Sequence, residues 1–271
     1  MQKKTKKVIT DQELFFNKDS EADRVYVKDN LFYMYTNIGL INGFQWLSGK
    51  KKILDYGCGT GASLDLFFEK RKKEKYLIYG VDIAQKAIDR IKKKYPQFNF
   101  YKISNNKIPQ IKNGTLDAAY MFHVLHHAHD HRDIFKEVNK KLDKNGKFFI
   151  SDLSTNNPIN KFARSLFTRM PNFVKNKFNE DLVVDGCIPE KYKVYIDRVV
   201  KQLGDTGFTV VNVEYGHLFF FVFGWIDRFI PFSKIPLVPL LYRQLISFEN
   251  FLLKYTFFQK RAEVFYIKCT K

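Results

Sequence analysis

Apolar positions along the chain switch repeatedly between a helical and an extended period, and that switching predicts the architecture. From Glu21 to Leu47 they fall at helical spacing (Leu31, Met34, Ile38, Ile41, Phe44, Leu47), which predicts a helical lead-in ending near Gly49. Lys52 to Tyr56 is a short extended run that breaks into Gly57-Cys58-Gly59-Thr60-Gly61, and helical spacing resumes from Ala62 to Lys70. The exchange recurs. Tyr76 to Asp82 reads as a second strand, Ala84 to Tyr95 as a helix closed by Pro96, Phe98 to Ile103 as a third strand, and Leu116 to Phe122 as a fourth. His131 to Leu142 reads as a helix, Lys144-Asn145-Gly146 as a turn, and Lys147 to Leu153 as a fifth strand. Further on come a helix from Lys191 to Leu203, a turn at Gly204 to Gly207, and strands at Phe208 to Tyr215 and Glu263 to Cys269. Strands separated by helices at this interval imply an α/β fold, a doubly wound, mostly parallel seven-stranded sheet covered on both faces. Ligands on such sheets bind outside the carboxyl ends of the strands, so the loops after Tyr56, Val81, Ile103 and Met121 converge on one crevice.

Two stretches leave this rhythm. Past Ser154 the spacing is irregular for some forty residues, with Pro158, Pro171 and Pro189 punctuating short amphipathic helices. Between the last two strands, His217 to Arg261 is dense in aromatic residues, from Phe219 and Trp225 to Phe257 and Phe258. The expected organisation is a helical lead-in at 1–48, a core domain at 49–216 and 262–271 with a helical cap at 154–190, and an aromatic insertion at 217–261.

Composition refines this picture modestly. With 271 residues, 45% hydrophobic and 27% charged, the chain is long enough for a substantial core and is neither disordered nor fibrous. The 46 Lys+Arg against 28 Asp+Glu leave a net charge of +18, which favours anionic partners without choosing among them. The lysines lie in short scattered runs, such as Lys50 to Lys52 and Lys92 to Lys94, rather than in one stripe, so nucleic acid is an unfavoured partner. Cys58, Cys187 and Cys269 are odd in number and lack metal-ligand spacing, which argues against a disulfide framework or zinc site and fits a reducing cytoplasm. Met1 to Lys7 is basic but runs into Asp11 and Glu13 rather than an apolar stretch, so it reads as a frayed tail and not as a signal or anchor.

The chemistry begins at the glycine loop. Gly57, Gly59 and Gly61 permit a tight turn and close approach of a ligand, with the amides of the following helix pointing at the same place. The spacing is G-x-G-x-G rather than G-x-G-x-x-G, which disfavours a pyrophosphate cradle. Asp82, at the end of the second strand, is placed to accept hydrogen bonds from a ribose diol. An adenosine-type ligand without pyrophosphate follows.

With these residues in place, the chain strongly resembles the class I S-adenosylmethionine-dependent methyltransferases, a Rossmann-like family. Ile53 to Gly61 resembles the family's glycine motif, Gly80-Val81-Asp82-Ile83 its ribose-binding strand end, and Leu116 to Tyr120 its fourth strand. Val124-Leu125-His126-His127 with Asp130 is similar to the following loop, and Leu142 to Lys147 to the turn into strand five. The group it most resembles is the small-molecule enzymes of the type 11 and quinone-biosynthesis kind. The resemblance implies S-adenosylmethionine as cofactor, with Asp55 at its amino-acid end. It also implies that Gly57, Cys58, Gly59, Thr60 and Gly61 admit its methionine and ribose portions, that Asp82 holds the ribose hydroxyls and that Ile83 flanks adenine. Phe122, closing strand four, joins this set. Where the family usually carries an acidic residue near the adenine amine, this chain reads Ile103-Ser104-Asn105-Asn106, leaving Ser104 or Asn105 for that contact.

Methyl transfer from a sulfonium needs alignment and exclusion of water more than activation, and no metal. A proton-bearing nucleophile also needs a base, and the loop after strand four offers His123, His126 and His127. His123 is the preferred candidate and His127 the second. The structural alternative is that these histidines orient the loop, and that Asp130 caps the next helix. The insertion at 217–261 is too interrupted by Pro231, Pro236 and Pro239 to span a bilayer. It reads as an apolar lid, as an interfacial hairpin on an anionic membrane surface, or as a dimer interface or satellite core. The favoured function is methylation of a small hydrophobic or lipid-linked molecule in the cytoplasm or at a membrane surface. An RNA-binding methyltransferase and an inactive methyltransferase-like binding protein are the alternatives.

Overall fold

The computed structural model describes residues 31–70, 75–128, 130–169, 194–219 and 234–271. The expected helical turns before Leu31, Cys187, most of the 154–190 cap and the aromatic run from Phe220 to Phe232 lie outside these residues.

The chain enters through helix α1 (Leu31–Trp46) and strand β1 (Lys52–Tyr56), followed by α2 (Ala62–Lys70), β2 (Leu77–Asp82), α3 (Gln85–Lys94), β3 (Asn99–Lys102) and β4 (Leu116–Phe122). After a short 3-10 turn at Leu125–His127 come α4 (His131–Lys141), β5 (Leu142–Leu153), α5 (Pro158–Arg169), α6 (Ile196–Asp205) and β6 (Thr209–Gly216). Helices α7 (Val238–Leu252) and α8 (Thr256–Gln259) fill the described part of the insertion before β7 (Val264–Thr270). The seven strands form one sheet in the order β3-β2-β1-β4-β5-β7-β6. All neighbours are parallel except β7, which runs antiparallel to both β5 and β6. The order reverses at β1 and β4, which places the topological switch point beside the glycine loop.

Each face of the sheet carries its own core. Leu40 and Phe44 of α1 with Leu47 just after it, Leu64 and Phe67 of α2, and Ile88 and Ile91 of α3 pack on one side. Ile134, Phe135 and Val138 of α4 and Val199 and Leu203 of α6 pack on the other. The central strands are apolar nearly throughout, as strands buried on both faces must be. Helix α1 approaches the sheet closely because Gly39 and Gly43 lie one turn apart against it. A Cβ on Gly39 would overlap the Tyr266 ring, and one on Gly43 the Phe149 ring.

Element boundaries follow the hydrophobic pattern to within a few residues, with one instructive difference. The turn expected at Lys144-Asn145-Gly146 lies inside β5, where pairing with β4 jumps from Leu116–Leu142 to Ala118–Lys147. Residues 143–146 form an excursion within the strand, in which the Asn145 amide donates to Asp143 Oδ1 at 2.9 Å. Turn chemistry and strand pairing coexist here because the extra residues bulge out of the ladder.

Candidate active site

The loop between β1 and α2 is built on three left-handed glycines, with φ of 81° at Gly57, 49° at Gly59 and 92° at Gly61. The amides of Gly57 and Cys58 donate to the Val81 carbonyl at 2.7 and 3.0 Å, and the Gly61 amide donates to the Cys58 carbonyl at 2.9 Å. These bonds staple the turn to the carboxyl end of β2. The three glycines are not equivalent. A Cβ on Gly57 would strike Val124, and one on Gly61 would crowd Ile91 and Tyr95, whereas one on Gly59 would meet nothing within 4 Å. Gly59 therefore faces open space in the crevice. The Cys58 thiol turns away from it into the core near Gly80, leaving only its backbone in the loop.

Asp82 closes the loop from the other side. Its Oδ2 accepts from the Gly59 amide and its Oδ1 from the Ala84 amide, both at 2.9 Å. Each carboxylate oxygen keeps a further lone pair, so the group can still receive a diol. Burial raises its pKa above the usual carboxylate value, and the backbone amides act against that rise. Ile83, beside it, packs partly buried on the core.

Asp55 lies beneath the loop. Its Oδ2 accepts from Ser63 Oγ at 2.9 Å and from Tyr120 Oη at 2.7 Å. Its Oδ1 is buried with no hydrogen-bond partner among the described residues. Burial drives the carboxyl up to about 7, against the lowering effect of the Tyr120 and Ser63 hydroxyls. Tyr120 is aimed by an aromatic cluster in which Phe44 meets both Phe67 and Tyr120 edge-on, with ring centroids 5.1 Å apart in each case. Sequence reading missed Tyr120 as a site residue. The alternation of Ala118, Tyr120 and Phe122 put it on one face of β4, and only the fold showed that Asp55 shares that face.

After β3 the backbone turns through Asn105 and Asn106, at φ 52° and 59°. It is Asn106 that ties this turn to the crevice, accepting from Tyr56 Oη at 3.2 Å. Ser104 pairs with Lys107 across the turn, and Ser104 and Asn105 are exposed at the crevice rim.

The loop after β4 carries the histidines. His123 has a φ of 54°, donates its amide to the Ser151 carbonyl at 2.9 Å and stacks on Phe122, with ring centroids 4.1 Å apart. His126 meets a buried carboxylate directly. His126 Nδ1 lies 2.6 Å from Oδ1 of Asp152, a fully buried residue of β5. The other oxygen of Asp152 accepts from the Leu125 amide at 2.6 Å. Burial pushes Asp152 up, yet the combined pull of His126 and His123 and its amide donors holds it down at about 2. His127 packs against His126 with centroids 3.9 Å apart, and burial together with that neighbour drives its imidazole well below the usual range. Asp130 caps α4, accepting from the Arg132 amide at 3.0 Å. Asp152 escaped sequence reading because Ser151-Asp152-Leu153 looks like any strand end.

The crevice edge continues into the insertion. Glu249 of α7 is buried and accepts from the Leu218 and Phe219 amides at 3.1 and 2.5 Å, while Asn157 Nδ2 donates to the Leu218 carbonyl at 3.0 Å. Ser154, just past β5, donates its amide to the Glu263 carbonyl at 2.5 Å. Helix α7 is thus rooted at the carboxyl end of the sheet.

This combination of strand order, glycine loop and acidic strand ends is that of the class I methyltransferase fold. A family model described as a methyltransferase domain matches residues 35–213, and the chain belongs to that family. It is 24% identical over 148 residues to an uncharacterized protein of Haemophilus influenzae, covering 47% of this chain and 57% of that one. It is 27% identical over 166 residues to an uncharacterized methyltransferase of Schizosaccharomyces pombe, covering 54% and 56% of the two. The chain thus spans just over half the length of these relatives. Among solved structures, an S-adenosylmethionine-dependent methyltransferase from Mesorhizobium loti superposes with a TM-score of 0.54 at 15% identity, covering 86% of this chain and 98% of that one.

Proposed function

We propose that the protein is an S-adenosylmethionine-dependent methyltransferase acting on a small, hydrophobic or lipid-linked acceptor. The observation that carries this reading is the pairing of an open Gly59 with the two acidic strand ends. Among the described residues, nothing beyond its own chain neighbours comes within 4 Å of a Cβ on Gly59, and Asp55 below it holds one buried oxygen to which no described donor is bound. A ligand with a cationic amine at one end and a ribose diol at the other suits Asp55 and Asp82 in turn. Bound there, S-adenosylmethionine supplies an activated methyl group.

The chain's own residues then have three tasks. Gly57, Gly59 and Gly61 let the backbone close around the ligand. Phe122 and the loop above it exclude water from the reacting face. Proton removal from the acceptor falls to His126. A carboxylate held ionised accepts only, so Asp152 fixes the proton on His126 Nδ1 and leaves Nε2 with the lone pair of a general base. His127, its imidazole driven well below the usual range by burial, is the weaker base.

Titration calorimetry with S-adenosylmethionine tests the reading directly. Binding at one site per chain, lost in Gly59→Val, is expected. Absence of binding at millimolar cofactor overturns it.

A further inference from the structure

Helix α7 has two faces, and only one of them is used by the fold. Tyr242, Glu249 and Leu253 are buried, and Glu249 is engaged with the Leu218 and Phe219 amides. At helical spacing on another side stand Leu237, Leu240, Leu241, Phe248 and Phe251, with Leu237 69% and Leu241 60% exposed. Five large apolar side chains in one stripe exceed the scattered exposure usual on a soluble surface.

The charge beside the stripe has one sign. From residue 234 to 262 the basic residues are Lys234, Arg243, Lys254, Lys260 and Arg261, and Glu249 is the single carboxylate. Since Glu249 is buried, no carboxylate of this segment reaches the surface to neutralise them. Lys254 lies over the Phe251 ring at 6.0 Å, and Arg261 over the Phe257 ring at 3.7 Å, so cations and aromatics are adjacent in space as well as in sequence.

We propose that this face of α7 docks onto an anionic phospholipid surface, with Leu240, Leu241, Phe248 and Phe251 entering the acyl boundary and Arg243 and Lys254 meeting the headgroups. A second copy of the chain is a poorer occupant. A two-fold contact would bring the same basic residues together with no exposed acid of the segment opposite them. Interfacial helices combine this apolar face and basic flank, and none of the described helices is long and apolar enough to cross a membrane. Because Glu249 and Asn157 root the segment beside the carboxyl end of β5, docking would bring the crevice close to lipid-borne acceptors. The surface itself is independent of the methyltransferase reading.

Vesicle co-sedimentation of the full chain tests the proposal. Binding to vesicles of phosphatidylglycerol and phosphatidylcholine, weakening with salt and at least about tenfold poorer on phosphatidylcholine alone, is expected. Leu240→Ser with Phe251→Ser should weaken binding by about tenfold or more, and Arg243→Glu with Lys254→Glu should remove the preference for anionic lipid. Unchanged thermal melting and cofactor binding show that the variants fold, and make the lipid result separable from the methyltransferase assignment. No binding to anionic vesicles, or equal binding by the variants, overturns the proposal. So does a dimer in light scattering that the Leu240→Ser, Phe251→Ser variant dissociates, if the protein does not sediment with vesicles.

Discussion

Asp152 and His126 meet at 2.6 Å in the buried layer between β5 and the loop after β4, 26 residues apart in sequence. The carboxylate also receives the Leu125 and Leu153 amides, so it anchors the loop while orienting the imidazole. Asp152→Asn is expected to lower methyl transfer by roughly 10²-fold with cofactor affinity unchanged. The acid limb of the pH–rate profile should move to lower pH, because the imidazolium loses its counter-charge. A purely structural role would leave that limb in place. An acid held at about 2 when folded stabilises the fold above its unfolded value near pH 4. That contribution should disappear as pH falls from about 4 to about 2, and acid-unfolding curves of wild type and Asp152→Asn should converge there.

Gly59 combines a left-handed backbone with an unobstructed crevice side. Gly59→Ala should destabilise the chain by about 1–2 kcal/mol through backbone strain. Gly59→Val should in addition abolish cofactor binding by filling the ligand's space. Chemical denaturation and calorimetry separate the two effects.

Asp82 accepts from the Gly59 and Ala84 amides, so it shapes the loop in addition to the ligand role proposed for it. Asp82→Ala is expected to weaken cofactor binding by about 1–3 kcal/mol. Asp82→Asn, which keeps one acceptor oxygen, should lose less, and calorimetry at constant pH gives both values.

Asp55 makes the site sensitive to pH. Its folded-state value of about 7 stands above the unfolded one, so it favours the fold while protonated. That contribution is complete below pH about 4 and is lost as pH rises through about 7. A cationic amine bound at Oδ1 favours the ionised form, so cofactor affinity should rise with pH, by up to about tenfold per unit, and level off above about 7. In Asp55→Asn the affinity should be lower and this rise absent, which calorimetry at pH 5.5 to about 8 would reveal.

The contact of α1 with the sheet depends on glycine for room. Gly39→Ala pushes a Cβ into the Tyr266 ring, and Gly43→Ala one into the Phe149 ring. Each should destabilise by about 1–3 kcal/mol in urea unfolding, despite alanine's better helix propensity.

What the sequence determined by itself was everything periodic or local. The strands from Lys52 to Leu153 are legible because parallel strands buried on both faces are apolar runs, and the helices between them keep an amphipathic period. The left-handed turn at Gly57 to Gly61 is legible because L side chains rarely adopt that backbone. Three decisions belong to the tertiary structure. Tyr120 and Ser63 meet on Asp55, Asp152 pairs with His126, and Glu249 reaches back to the amides of Leu218 and Phe219. Each joins residues from different elements, some more than twenty positions apart. A lone aspartate or tyrosine in a strand carries no local sign of the partner that burial will force upon it. Periodicity settles which face a residue occupies; only the packing of one face against another settles which polar groups must satisfy each other.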